Sequence, residues 1–93
     1  MDIYKIIEEA LQNASLRFDP TQQTLKGWAM FCLRDRGFKV STSPKADFIV
    51  ETRTDKIYFC LTEDSNTVDA NSAWIVREPA SGRVQVIAPT QSE

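Results

Sequence analysis

The spacing of apolar side chains divides the chain into a helical part and a strand part. Up to Gly37 apolar residues recur every three or four positions, and from Phe38 onward they alternate with polar ones. We expect an α+β fold, with two N-terminal helices packed on a mainly antiparallel sheet of about five strands. The predicted order is ααβββ(loop)ββ, and the length of 93 residues suits a single domain over residues 1–93.

The first predicted helix covers residues 2–14, and Asp2 is placed to cap it. Its apolar stripe consists of Ile3, Ile7, Ala10, Leu11 and Ala14. Glu8 and Glu9 lie outside this stripe. Adjacent helical positions diverge by about 100°, so this pair indicates a solvated face and not two carboxylates acting together.

The second predicted helix covers residues 20–36. Asp19 is a good N-cap, Pro20 suits the first helical position, and Gln22 is placed to complete a capping box. Gly37 is placed to end the helix in a left-handed cap.

Three further residues of this helix carry expectations. We expect Trp28 in the core and not as a stacking platform. Arg34 lies where positive charge favours a helix C-terminus. Gly27 lowers helix propensity, which hints at close approach by another backbone.

Three strands are predicted within 38–43, 46–53 and 56–63, and a hairpin over 73–89 turns near Ser81–Gly82. Apolar residues fall on both faces of the second and third strands, which is typical of strands covered on both sides. Either the two helices supply both covers, or a second subunit supplies one. The expected core is Ile7, Leu11, Leu25, Trp28, Leu33, Val40, Ile49, Val50, Phe59, Trp74, Val76 and Val86.

Composition narrows the function. The net charge of −2 disfavours non-specific nucleic-acid binding, which needs a basic patch. The chain has no histidine, the commonest general base and zinc ligand. Cys32 and Cys60 lie in apolar segments and are expected to be reduced, buried thiols. No apolar run is long enough for a membrane span, and acids occupy the N-terminal positions where a signal peptide is apolar, so we expect a cytoplasmic protein.

One stretch carries a family resemblance. A helix ending in "DRGFKV" is followed by "KADFIVE", a tight turn and "YFCLTE". This order resembles the core of the restriction-endonuclease-like, or PD-(D/E)XK, nucleases over residues 21–63. In that family one strand holds an acid and the next reads Phe-Val-Glu-x-Lys. The resemblance places Asp47 at the acid position, Leu61 at the glutamate position and Glu63 at the lysine position.

The resemblance implies a nuclease site with a degenerate motif. In the family two acids hold Mg²⁺ and the lysine orients the nucleophile, whereas leucine offers no ligand and Glu63 has the wrong charge. A migrated site would use Asp47 and Glu63 as metal ligands, with Glu51 and Lys45 beside them.

We therefore expect no catalytic residues, no cofactor and no resident metal. The leading hypothesis is a small non-enzymatic module that binds another protein or itself as a homodimer, away from membranes. The alternative is an Mg²⁺-dependent nuclease, or a nucleic-acid-binding protein derived from one. Asp47, Glu51 and Glu63 meeting in one concave site would favour the alternative, and a flat exposed apolar face would favour the first.

Overall fold

A computed structural model describes residues 3–14, 17–69 and 71–89. It contains helices α1 (Ile3–Gln12) and α2 (Leu25–Asp35), strands β1 (Lys39–Ser41), β2 (Phe48–Glu51), β3 (Lys56–Thr62), β4 (Ala73–Arg77) and β5 (Val84–Ile87), and a 3₁₀ turn at Ser65–Thr67 between β3 and β4. The predicted α+β class and element order are confirmed. The proposed cap Asp2 lies outside the described residues.

The predicted start of the second helix is wrong. Helix α2 begins at Leu25, and the Thr24 hydroxyl accepts the Gly27 N–H at 3.0 Å as the N-cap. Asp19 instead closes a separate turn, in which its C=O accepts the N–H of Gln23 at 2.9 Å and its carboxylate accepts the Thr21 hydroxyl at 2.6 Å. Two good capping residues compete here, and only the later one is followed by helix.

The two glycines of this region have different roles. A Cβ on Gly27 would lie 3.0 Å from the Thr24 hydroxyl, so the close neighbour is the cap of its own helix and not another backbone. Gly37 has φ of +96°, and the next residue, Phe38, donates its N–H to the Leu33 C=O. The left-handed end of α2 is therefore confirmed.

The five strands form one sheet in chain order. Neighbouring strands are antiparallel except β3 and β4, which are parallel, with Phe59 opposite Ala73 and Leu61 opposite Ile75. A parallel neighbour requires a connection that crosses one face of the sheet. Residues 63–72 make that crossing.

Both helices lie on one face of the sheet, which we call the helix face. Tyr4 of α1 contacts Phe59 edge-on, with ring centroids 6.1 Å apart. The strand residues that this face contributes to the core are Val40, Phe48, Val50, Ile57, Phe59, Leu61, Ala73, Ile75, Val84 and Val86. The core thus lies between this face and the apolar stripes of α1 and α2.

The opposite face, which we call the open face, has no helix on it among the described residues. Alternation along the strands gives it Lys39, Ser41, Ile49, Glu51, Lys56, Tyr58, Cys60, Thr62, Trp74, Val76, Gln85 and Ile87. Of the expected core residues, Ile49 lies here half-buried, while Trp74 and Val76 are buried but lie outside the main core. Leu25 and Val86 are only partly buried at the edge of the main core.

Side chains from the helices occupy both edges of the sheet. At the β5 edge, Glu8 accepts the Val86 N–H at 2.9 Å and Gln12 accepts the Val84 N–H at 2.8 Å. At the β1 edge, the Arg34 guanidinium donates to the Val40 C=O at 2.9 Å. Glu8 is therefore half-buried against a strand, and its assignment to a solvated face was wrong. Unpaired strand edges invite other chains, and these contacts occupy two N–H groups of β5 and one C=O group of β1.

Candidate functional site

Asp47 serves the sheet itself. It lies just before β2, where its N–H donates to the Phe59 C=O at 2.9 Å and its carboxylate accepts the Leu61 N–H at 2.7 Å. A carboxylate hydrogen bond of this length holds the start of β2 against β3. One of its two oxygens is thereby already in use.

Glu51 and Glu63 lie elsewhere. Glu51 is at the far end of β2 from Asp47, with its carboxylate 3.7 Å from the Lys39 ammonium. Glu63 follows β3 and accepts from Arg77 at 2.9 Å. Arg77 in turn lies over the Phe18 ring, 4.7 Å from its centroid, on the helix side of the sheet. The three acids are thus held by separate partners.

The strand register explains why these acids do not converge. Cys60 and Thr62 are the β3 residues on the open face at the Asp47 end, whereas Leu61 points into the core on the helix face. Lys45 is exposed in the bend before β2. Across the described residues, no three Cys, Asp or Glu side chains lie close enough together to hold a metal ion. This donor arrangement does not fit Mg²⁺, which needs several oxygen ligands around one point.

A cleft of about 620 Å³ lies beside the β5 edge. Acids dominate its lining, which includes Glu8, Glu63, Asp64 and Glu78, with Arg83 as its cation. Glu8 already accepts the Val86 N–H. Glu63 already accepts from Arg77, so these two acids of the cleft have structural partners.

We infer that the connection between β3 and β4 crosses the open face, and we call its described residues, 63–69 and 71–72, the ridge. Asp64 lines the same cleft as Val76 and Gln85. The Ser72 side chain hydrogen-bonds the Cys60 thiol, and the Asp69 carboxylate is near enough to raise the pKa of that thiol. The ridge covers the β4 side of the open face. Trp74 and Val76 retain only 8% and 9% exposure although no helix of the described residues packs on them, which is the reason for placing the ridge on this side.

Beside the ridge, the corner of the open face on β1, β2 and the start of β3 is a recess. A row across it consists of Ser41, Ile49 and Tyr58, and the next row consists of Lys39, Glu51 and Lys56. Tyr58 is 43% exposed, and both lysines are exposed. Aromatic and aliphatic side chains framed by charges are typical of a protein-binding surface.

Cys60 lies between the recess and the ridge. Burial is the main cause that raises the pKa of its thiol above the ordinary value. Hydrogen bonds with the Asp47 backbone and the Ser72 side chain lower this pKa in part, while the carboxylates of Asp47 and Asp69 raise it. The thiol is therefore protonated at neutral pH and is a poor nucleophile.

Trp74 carries the one polar side-chain atom that is buried without a hydrogen-bond partner among the described residues. Its Nε1–H lies under the open face and meets no acceptor. Burying such a donor costs about 1–3 kcal/mol. Trp74 is thus held in place without a hydrogen bond from its indole N–H.

The sequence pattern identified the residues of the open face but not their common role. Alternation correctly separated Tyr58 and Cys60 from Phe59 and Leu61. The sequence carries no signal for the side of the sheet on which each helix lies, so it could not show that one face stays open. No helix among the described residues is long and apolar enough to cross a bilayer.

Comparison of the chain with protein-family models, with curated proteins and with solved structures finds no match.

Proposed function

We propose that this protein is a small non-enzymatic module of the cytoplasm that binds another protein through its open face. The observation that carries the proposal is the recess, where Tyr58 and Ile49 lie on a sheet face that no helix of the described residues covers. Tyr58 and Ile49 are direct neighbours across β2 and β3, and adjoining exposed apolar side chains mark interaction sites.

The guarded edges support the same surface. Glu8 and Gln12 already bond the Val86 and Val84 N–H groups of β5, and Arg34 bonds the Val40 C=O of β1. Binding by strand addition needs free backbone groups at an edge. A partner that docks on side chains of the open face needs none.

The test uses two exposed aromatic residues that lie in different places. A photo-crosslinking phenylalanine derivative replaces Tyr58 in one variant and Phe31 of α2, which is 54% exposed, in the other. In extract of the source cell treated with nuclease, we expect protein adducts from position 58 and few from position 31. Equal adducts from both positions, or none from position 58, would contradict the proposal.

The second candidate is a nuclease, or a nucleic-acid-binding protein derived from one. Its support is the order of elements, in which α2 ends at Gly37 and is followed by β1, by Asp47 at the start of β2, and by β3. Against it stand the separate partners of Asp47 and Glu63 and the net charge of −2. A metal-dependent cleavage assay separates the two candidates.

A further inference from the structure

We infer that the partner of the open face is a second copy of this chain, related by a twofold axis lying in the interface. This inference rests on the proposed role of the open face in protein binding and adds the identity of the partner. Three features of the face lead to it: its shape, its charge and the state of the sheet edges.

The shape is self-complementary. The ridge lies over the β4 half of the open face, where Trp74 and Val76 are buried, whereas Tyr58 in the recess remains 43% exposed. In a twofold dimer the same patch serves both subunits. An axis between ridge and recess places the ridge of each copy in the recess of the other. Two flat faces could slide over each other and would not favour this relative position of the two copies.

The charge follows the same division. The recess carries Lys39 and Lys56 around Glu51, which pairs with Lys39, and Arg53 and Asp55 are exposed in the turn beside them, so cations outnumber acids there. The ridge carries two exposed acids, Asp64 and Asp69.

The side chains of these acids already accept backbone N–H groups, Asp64 from Asn66 at 3.0 Å and Asp69 from Asn71 at 2.9 Å. The acids are therefore held in place on the ridge. When the ridge of one copy enters the recess of the other, these acids meet the lysines, twice per dimer. Complementary charges of this kind fix the register of an interface.

The guarded edges favour this geometry over the common alternative. Small sheet proteins often dimerise by joining edge strands, but α1 and α2 side chains already bond β5 and β1. The described part of the chain therefore offers a face-to-face contact more readily than a continuous sheet.

The decisive experiment is a charge exchange between two variants. The recess variant carries Lys39→Glu and Lys56→Glu, and the ridge variant carries Asp64→Lys and Asp69→Lys. Each variant alone should dimerise at least about tenfold more weakly than the wild type, because like charges then meet at both contacts. An equimolar mixture should form a heterodimer of near wild-type affinity, since reversed lysines meet reversed acids. Sedimentation equilibrium and native mass spectrometry measure both quantities.

Two controls keep the result interpretable. The variant with Lys5→Glu and Lys26→Glu changes the net charge as the recess variant does, but on the helices, and should dimerise like the wild type. If the ridge variant fails to fold, Asn66→Lys with Thr67→Lys adds charge to the ridge and keeps the hydrogen bonds of both aspartates. Thermal unfolding by circular dichroism checks the fold of each variant.

The outcomes separate this inference from the proposed function. A wild-type protein that stays monomeric at tens of micromolar, or a mixture that recovers no dimer, overturns the twofold assembly. If crosslinks from position 58 then join a different protein, the open face remains a protein-binding surface with another partner. Crosslinked products of twice the chain mass, together with recovery of the dimer in the mixture of the two charge variants, support the dimer.

Discussion

At the scale of single residues, Trp74 lowers the stability of the fold through one buried polar group. Its indole N–H is buried without an acceptor. The Trp74→Phe substitution removes this donor and leaves a small void, two effects of opposite sign. We expect a change in unfolding free energy within about 1 kcal/mol, whereas Trp74→Ala should lose roughly 3–5 kcal/mol. Urea denaturation measures both, and a loss of several kcal/mol in Trp74→Phe would show that Nε1–H has a strong acceptor in solution.

The two thiols predict how the unfolding free energy changes with pH. Burial is the main cause that raises the pKa of both Cys32 and Cys60 above the ordinary thiol value. Because the folded pKa is raised, the stability tied to the protonated thiols is complete below the unfolded pKa and is lost as pH rises through the folded pKa. Unfolding free energy should therefore fall with rising pH in the alkaline range.

Labelling isolates the Cys60 contribution. In a Cys32→Ala background, we expect the midpoint of the iodoacetamide rate against pH to lie higher in the folded protein than in urea. The same midpoint in both states would show that Cys60 is solvated.

At the scale of elements, the contacts of α1 with β5 are the most easily tested. We expect Glu8→Ala to lose about 1–3 kcal/mol of unfolding free energy, because the Val86 N–H then has no acceptor. Its neighbour Glu9 is exposed, so Glu9→Ala should change stability by less than about 0.5 kcal/mol. Glu8→Gln keeps an acceptor and should lose less than Glu8→Ala. If Glu8→Ala and Glu9→Ala lose the same unfolding free energy in chemical denaturation, the contact of Glu8 with the β5 edge does not stabilise the fold.

Helix α2 shows where sequence reasoning reached its limit at this scale. Its end was predictable, because a left-handed turn at Gly37 has a strong local signal. Its start was not, because Asp19 and Thr24 are both good caps and tertiary packing chose between them. Glu8 was misassigned for a similar reason. A helical pattern shows which residues lie outside the apolar stripe. It does not show whether a strand edge packs beside those residues.

At the scale of the whole molecule, the candidate site depended on information that is not local. Alternation predicted which residues share a strand face, and the sheet confirms it for Tyr58 and Cys60. It could not predict that both helices lie on one side, or that β3 and β4 are parallel. The ridge and the recess exist only because of these two facts.

The same scale carries the prediction on catalysis. With Mg²⁺ or Mn²⁺, we expect no cleavage of linear, branched or single-stranded DNA above background. Leu61 offers no metal ligand, and Asp47 and Glu63 bind Leu61 N–H and Arg77. Loss of a metal ligand and reversal of a charge beside a phosphate each cost several kcal/mol of transition-state stabilisation, and about 1.4 kcal/mol is tenfold in rate.

The assay compares the wild type with Asp47→Ala and Glu63→Ala on a labelled substrate. Background cleavage is expected from all three proteins. Metal-dependent cleavage by the wild type that disappears in both variants would establish the nuclease in place of the binding module.

The contact between Glu8 and the Val86 N–H joins residues 78 positions apart. On a ribosome the helix is therefore made long before the strand that it clasps. Until that strand leaves the exit tunnel, Ile7 and Leu11 have no complete core to enter. The nascent chain thus cannot close its fold stepwise from its first helix. Folding must wait for nearly the whole sheet, and in that interval the apolar stripe of the incomplete chain stays exposed to aggregation.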